Sequence, residues 1–274
     1  MFGSIVGSFL NVCIYRFPRE ESIVLPGSHC PHCQKMLSWY DNIPFLSYIF
    51  LKGKCRYCHQ RISFRYFLVE LLTALFFLTL FLKFGLGWEL IIYLFFISSL
   101  IIATFTDFDH LIIPDVVTYP TLILGLILST VYPSMQRSIF HWSTISASSK
   151  EGFLSSLVGA LLGGLFLYAI GIFGEMAINL FGKKELKKEV SNKGGVMGGG
   201  DIKLLAMIGA FLGWQLVALT IFLSALSGSI AGIILKFKKG ESYIPYGPYL
   251  ALGAVISLLE GEKLINWYLH RIGG

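Results

Sequence analysis

Two carboxylates stand where chemistry is easiest to imagine. Asp107 ends a long apolar run, and Asp201 closes the string Gly198-Gly199-Gly200-Asp201. Charge within or beside a bilayer is costly enough to mark a functional position. Two carboxylates brought together cannot both ionise cheaply; they share a proton, so that one acts as base on a water and the other as acid. Each aspartate is equally readable as a helix cap, and the surroundings must decide between the two.

A second constellation lies nearer the start. Cys30-Pro31-His32-Cys33 and Cys55-Arg56-Tyr57-Cys58 are two C-x-x-C pairs separated by 21 residues. Four thiolates so paired suit a tetrahedral structural Zn2+, and two disulfides are the other pairing chemistry. The basic flanks assign this region to a reducing cytosol, which favours the metal. His29, His32 and His59 border the thiols as neighbours, and Cys13 is read as a small packing residue.

Whatever positions these groups is membrane-embedded. Hydrophobic residues make up 55% of the 274-residue chain, charged residues 14%, and the mean hydropathy is +0.70, values that exclude an ordinary soluble domain. Apolar runs predict an all-α polytopic membrane protein with about eight spans, at 1–17, 67–84, 88–106, 115–132, 153–181, 202–213, 214–235 and 247–269. The sixth and seventh meet at a Gly213-Trp214 corner. Met1 runs straight into apolar sequence with no basic n-region, so no cleavable signal is expected. The expected organisation is a first helix over 1–17, a cytosolic tetracysteine zinc-binding region over 18–66, and a membrane-embedded core over 67–274.

Orientation follows from charge. Of the 22 Lys and Arg, 17 fall within Arg16–Arg65, Lys183–Lys203 and Lys236–Lys239. Eight spans bring all three segments to one side, which the positive-inside rule makes cytosolic, and leave the Ser/Thr-rich 133–152 segment opposite. The same alternation sets Asp107 and Asp201 at one membrane face. The formal net charge of +6 follows helix ends rather than forming a stripe, which indicates lipid headgroups and not nucleic acid. The run Lys183–Glu189 reads as a solvated extension of the fifth span.

The stretches Gly7-Ser8-Phe9-Leu10-Asn11-Val12, Asp41-Asn42-Ile43-Pro44, Arg65-Tyr66 with Val69-Glu70-Leu71-Leu72, Asp107 to Asp115 (DFDHLIIPD) and Gly198 to Leu205 (GGGDIKLL) closely resemble type IV prepilin peptidases, in the right order and over nearly the whole chain. The resemblance implies a GxGD-type intramembrane aspartic protease of the bacterial inner membrane. Such enzymes remove the basic leader of prepilins or pseudopilins after a glycine at the cytosolic face. Many also methylate the new N-terminal amine with S-adenosyl-L-methionine. The catalytic pair of the family maps to Asp107 and Asp201, within a loop that includes Gly198, Gly200 and Lys203. The methylation side maps to Glu70, which snorkelling to the interface explains equally well.

The residues themselves add detail. Asp107 and Asp109 point about 200° apart on a helix, so only one can face a given partner. Asp115, after Pro114, is expected to N-cap the next span. Glycines before Asp201 permit close backbone approach. Lys203 steadies the loop, binds a substrate carboxylate or reaches the headgroups. Asn11 is expected to bond helix to helix, and Glu175, in the last third of the fifth span, is a candidate to face the polar cavity. Methylation rests on the resemblance alone, since no Rossmann fingerprint is present. A transporter using carboxylates as a proton relay is the rival reading. It calls for pseudo-symmetric halves or helices broken near mid-bilayer, and the sequence displays neither.

Overall fold

Apolar runs of this length satisfy their own backbone only as helices, and helices are what form. The structure, a computed structural model, describes residues 1–135, 149–182, 195–239 and 245–272. The lysine-rich run at 183–189 and most of the Ser/Thr-rich 133–152 segment therefore lie outside the described residues. Among the described residues the α-helices are α1 (Phe2–Arg16), the short α2 (Leu46–Phe50), α3 (Phe64–Phe84), α4 (Trp88–His110), α5 (Asp115–Val131), α6 (Ser149–Phe181), α7 (Gly199–Lys239) and α8 (Gly247–Ile272). Among the described residues, four stretches are long and apolar enough to cross a membrane: α3, α4, α6 and Gly199–Phe237 within α7. Helix α5 is apolar but shorter.

The expected spans reappear with shifted ends. Helix α3 starts at Phe64, one turn before the expected 67, because the Ser63 hydroxyl caps it by accepting the Arg65 N–H at 3.3 Å. Helix α4 continues to His110 rather than stopping at 106, so Asp107 sits inside its last turn. The sixth and seventh expected spans are continuous in α7 except at Gly213, whose φ of 76° and ψ of 173° interrupt the helix where the corner was expected. A side chain is strained at that φ, which explains the glycine.

The chain divides into two compact units, Met1–His110 and Leu111–Gly274. In the first, α1 packs on α3 and α4. Gly3 and Gly7 face α3 so closely that a Cβ at Gly7 would lie 2.7 Å from the Glu70 Cα, and one at Gly3 would lie 2.9 Å from the Ala74 Cα. That is the small-residue packing by which helices associate in lipid. Asn11 adds the expected interhelical bond, its Nδ2 donating to the Tyr66 carbonyl at 2.9 Å. In the second unit, α6, α7 and α8 pack in sequence, with α5 against α6 and α7. Helices α6 and α7 approach through Gly159 and Gly209, where a Cβ on either would meet the carbonyl oxygen of the other at 2.4 and 2.1 Å. The Ser156 hydroxyl donates to the Ala210 carbonyl at 2.6 Å beside them.

Candidate functional site

The two cysteine pairs fold as two copies of one knuckle. In the first, the Cys30 N–H donates to the Lys35 carbonyl at 3.0 Å, Gln34 N–H to Cys30 at 2.9 Å and Leu37 N–H to Ser28 at 2.8 Å. Twenty-five residues later the pattern recurs: Cys55 to Gln60 at 2.9 Å, His59 to Cys55 at 3.0 Å and Ile62 to Gly53 at 2.7 Å. Gln34 and His59, each following its second cysteine, share a left-handed φ of 58° and 57°. The offset of 25 between Cys30 and Cys55 was in the sequence all along; it is the signal that could have foretold the repeat.

The four sulfurs lie within 4.8 Å of one another, and those of Cys30 and Cys58 are 3.8 Å apart. A Zn–S bond of about 2.3 Å gives a tetrahedron edge of about 3.8 Å, so the residues present fit a zinc ion. All four cysteines are free thiols in the structure. The Cys58 N–H chiefly draws the Cys55 thiol down to about 7, against the desolvation that opposes it. At Cys58 the Gln60 N–H pulls down as well, but desolvation and the three neighbouring sulfurs outweigh it and push that thiol up to about 11. Among the described residues no histidine joins this cluster.

Beside the knuckles, in the same unit, is a cavity of about 990 Å³ lined by residues of α1, α3, α4 and the tetracysteine segment. Three of its lining residues carry buried polar atoms without a protein partner: Asn11 Oδ1, Asp41 Oδ2 and Arg65 Nε. Each belongs to a side chain whose other end is fastened. Asn11 is held on Tyr66 as described, Asp41 Oδ1 receives the Arg56 guanidinium, and Arg65 Nη1 pairs with Asp109. Buried polar atoms left in this state call for a ligand or water. These two acceptors and one donor suit a small polar molecule offering hydroxyl or ammonium hydrogens and one anionic group. Asp41, Arg56 and Arg65 were not given these roles by sequence reasoning, although an arginine lodged between two metal cysteines was a usable signal.

Glu70 also lines the cavity. It is 9% exposed and its Oε2 accepts the Phe45 N–H at 3.0 Å, so it does not snorkel. Phe45 has the left-handed φ of 61°. The Glu70 carboxylate thus fastens a strained turn of the tetracysteine segment to α3, and the Phe45 ring packs 5.5 Å from that of Phe67. Arg16, 4% exposed at the end of α1, reaches three carbonyls, those of Ser22, Pro26 and Gly27, at 2.7, 2.5 and 3.3 Å. It fixes the chain that enters the first knuckle.

The aspartates fall in different units, and each is described in its own. Asp107, in the first unit, is 6% exposed in the last turn of α4, while Asp109 is turned aside to pair with Arg65. Helical geometry predicted that divergence. In the second unit, Asp201 is half-buried in the first turn of α7, with Gly198 and Gly199 leading into it. Gly200 packs on Ile113, and a Cβ there would lie 3.0 Å from the Ile113 Cβ. Gly198 leaves only 3.0 Å between a Cβ and the Asp201 Oδ2. The incoming segment rests on α6: Val196 lies over Gly174, and Gly195 passes beside the exposed Glu175, 2.7 Å from its Oε1 to a Cβ there.

Asp115 corrects one expectation. Pro114 holds the extended cap conformation, φ −67° and ψ 129°, and its carbonyl accepts the first helical N–H groups, from Val117 and Thr118. Asp115 is therefore the first helical residue, not the N-cap. Its carboxylate is free to take Lys203 Nζ at 2.7 and 2.9 Å. Lys203 also lies 5.0 Å over the Tyr119 ring.

The chain is similar to known proteins along most of its length. Residues 1–84 match the model of the bacterial peptidase A24 N-terminal domain, and residues 94–233 match that of the type IV leader peptidase family. The chain is 37% identical to the prepilin leader peptidase/N-methyltransferase of Pseudomonas aeruginosa, over all of this chain and 93% of that one. It is 34% identical to the protein of the same name from Bacillus subtilis, over 98% of this chain and 96% of the relative. The Aeromonas hydrophila protein of that name is also 34% identical, over 98% and 92%. No solved structure matches the chain.

Proposed function

Because this chain belongs to the type IV leader peptidase family, we propose that it cleaves the basic leader from a type IV prepilin or pseudopilin and methylates the amine so exposed. Nothing favours the transporter reading. The protein is a multi-pass bacterial membrane protein. Its basic loops support the inner membrane as its location and the cytosolic face as the side where cleavage occurs.

Asp107 and Asp201 form the catalytic pair in this proposal. What supports it is the family match over residues 94–233, which includes both aspartates and the glycine string before Asp201. One ionised carboxylate removes a proton from a water as that water attacks the scissile carbonyl. The other, protonated, donates to the carbonyl oxygen. Collapse of the tetrahedral diol expels the leaving amine, which takes up a proton, and the pair returns to a single shared proton. Gly200 lets the loop seat on Ile113, Gly198 leaves room beside the Asp201 carboxylate, and Lys203 holds the loop through Asp115. Incubating purified protein with leader-bearing prepilin, and reading products by intact mass, tests both cleavage and methylation at once.

The tetracysteine segment, 18–66, is assigned to the methylation half and the helices from residue 67 onward to the peptidase core. A structural zinc held by Cys30, Cys33, Cys55 and Cys58 would order a segment too short for a large core of its own. The 990 Å³ cavity is the proposed seat of S-adenosyl-L-methionine, which supplies an electrophilic methyl group when bound. Asn11 and Asp41 would accept hydrogen bonds from the ligand and Arg65 would donate one, while Glu70 holds the wall at Phe45. The incoming amine must lose a proton before it can accept a methyl group, and the carboxylates that line the cavity, Asp41, Glu70 and Asp109, are the candidate acceptors.

A further inference from the structure

The second metal knuckle also reaches the cavity through a side chain. Arg56 stands between Cys55 and Cys58, and its Nε and Nη2 both approach a single atom, Asp41 Oδ1, at 2.8 and 2.7 Å. Its guanidinium lies 5.0 Å over the Tyr40 ring, which limits how far it can swing. The Asp41 side chain is only 2% exposed. With one oxygen taken twice over, the other, Oδ2, is buried without a partner on the cavity wall.

Arg56 is the cation in contact with this buried carboxylate, and a carboxylate oxygen accepts hydrogen bonds. Oδ2 is therefore an acceptor set for a hydroxyl or ammonium hydrogen. It is held in direction by an arginine that stands between two of the cysteines.

We propose that Asp41 is a ligand-recognition residue for the hydrogen-donating groups of an S-adenosyl ligand, and that the metal knuckle positions it through Arg56. The inference rests on the proposed methyl-donor site. It adds that the tetracysteine centre governs donor affinity through one ion pair, beyond its general ordering of the segment. The chain of command runs from Cys55 and Cys58 to Arg56, then to Asp41, then to the ligand.

The test is equilibrium binding of S-adenosylhomocysteine, the product that carries the same donors, to the full-length zinc-loaded protein in detergent. Zinc content and monodispersity are measured for every variant. The unmodified protein is expected to bind. Asp41→Asn, isosteric but uncharged, should weaken binding by about tenfold or more, as loss of a hydrogen bond to a charged group does. Arg56→Gln should weaken it similarly while retaining zinc. The double variant should be no weaker than Asp41→Asn alone, because Arg56 acts only through Asp41.

Adenosine and homocysteine serve as separate arms. A matching loss for adenosine assigns the contact to the ribose or base, and a matching loss for homocysteine assigns it to the ammonium. Equal affinity of Asp41→Asn and the unmodified protein for S-adenosylhomocysteine overturns the inference while leaving the donor site standing. Additive losses in the double variant overturn the positioning role of Arg56. Absence of binding by the unmodified protein overturns the donor site itself. If Arg56→Gln loses zinc, Asp41→Asn decides alone, combined with the expectation that stripping zinc costs the unmodified protein affinity but costs Asp41→Asn no more.

Discussion

Lys203 Nζ lies 2.7 and 2.9 Å from the two carboxylate oxygens of Asp115, joining the first turn of α5 to the helix turn that carries Asp201. The two side chains are 32% and 57% exposed. Pairs so exposed contribute about 0–1 kcal/mol to stability. The pair therefore acts by placement more than by strengthening the fold. Lys203→Ala should lower leader cleavage by roughly fivefold, the equivalent of about 1 kcal/mol in the barrier, with little change in thermal stability. Exchanging the charges, Lys203→Asp with Asp115→Lys, should recover part of the loss in a prepilin cleavage assay. Full activity of Lys203→Ala would remove the placement role.

The proposed catalytic pair makes a sharper demand. Asp107→Asn and Asp201→Asn should each reduce cleavage by roughly a hundredfold to ten-thousandfold, the range attributed to a positioned acid or base, with expression and insertion unchanged. Asp109→Asn should remain active, since Asp109 is committed to Arg65. A dead Asp109→Asn beside a live Asp107→Asn, in the same mass-spectrometric assay, reverses the assignment.

Elemental analysis should find one zinc per chain. Cys55→Ser or Cys58→Ser should lose it. Metal binding requires thiolates, and Cys58 is held up to about 11 while Cys55 is brought down to about 7. Binding near neutrality therefore expels protons. Affinity should fall as pH drops through about 7 and Cys55 protonates. Titration calorimetry in buffers of different ionisation enthalpy measures the protons released; a release of zero contradicts the ligand set.

Gly209→Leu should be among the most damaging single changes in the second unit. A Cβ at Gly209 would stand 2.1 Å from the Gly159 carbonyl oxygen, an atom of helix backbone that cannot swing aside. Overpacking typically costs about 1–3 kcal/mol, occasionally more. The change should appear as lost thermal stability in detergent and lowered yield. Gly199→Ala, with nothing within 4 Å of its Cβ, should be far milder in the same measurements.

Much of this was legible before any coordinates. Hydropathy located the helices because a backbone in lipid has few options, and Gly213 announced its own break. Helix ends were less legible: Ser63 and Pro114 determine them by local capping, and a periodicity argument is blind to one turn. The metal quartet could be read from spacing because the ligands are sequence-local. The cavity could not, since Asn11, Asp41 and Arg65 come from separate segments and matter through atoms left unfastened at one end. The same limit applies to Asp115 and Lys203, 88 residues apart, whose pairing nothing in either neighbourhood foretells.

The duplicated knuckle has a consequence for how the chain is built into the membrane. Its last cysteine, Cys58, is made six residues before α3 opens at Phe64, and synthesis proceeds at about 5–20 residues per second. The ligand set is therefore complete before α3 has emerged. A segment clasped by a metal at that point would be a folded object, which could not be threaded through the bilayer as an extended chain. The ends of α1 and α3 that flank it would then be committed to the same side. The order of synthesis would thereby make a structural ion a ratchet on topology, settled while most of the protein has yet to be made.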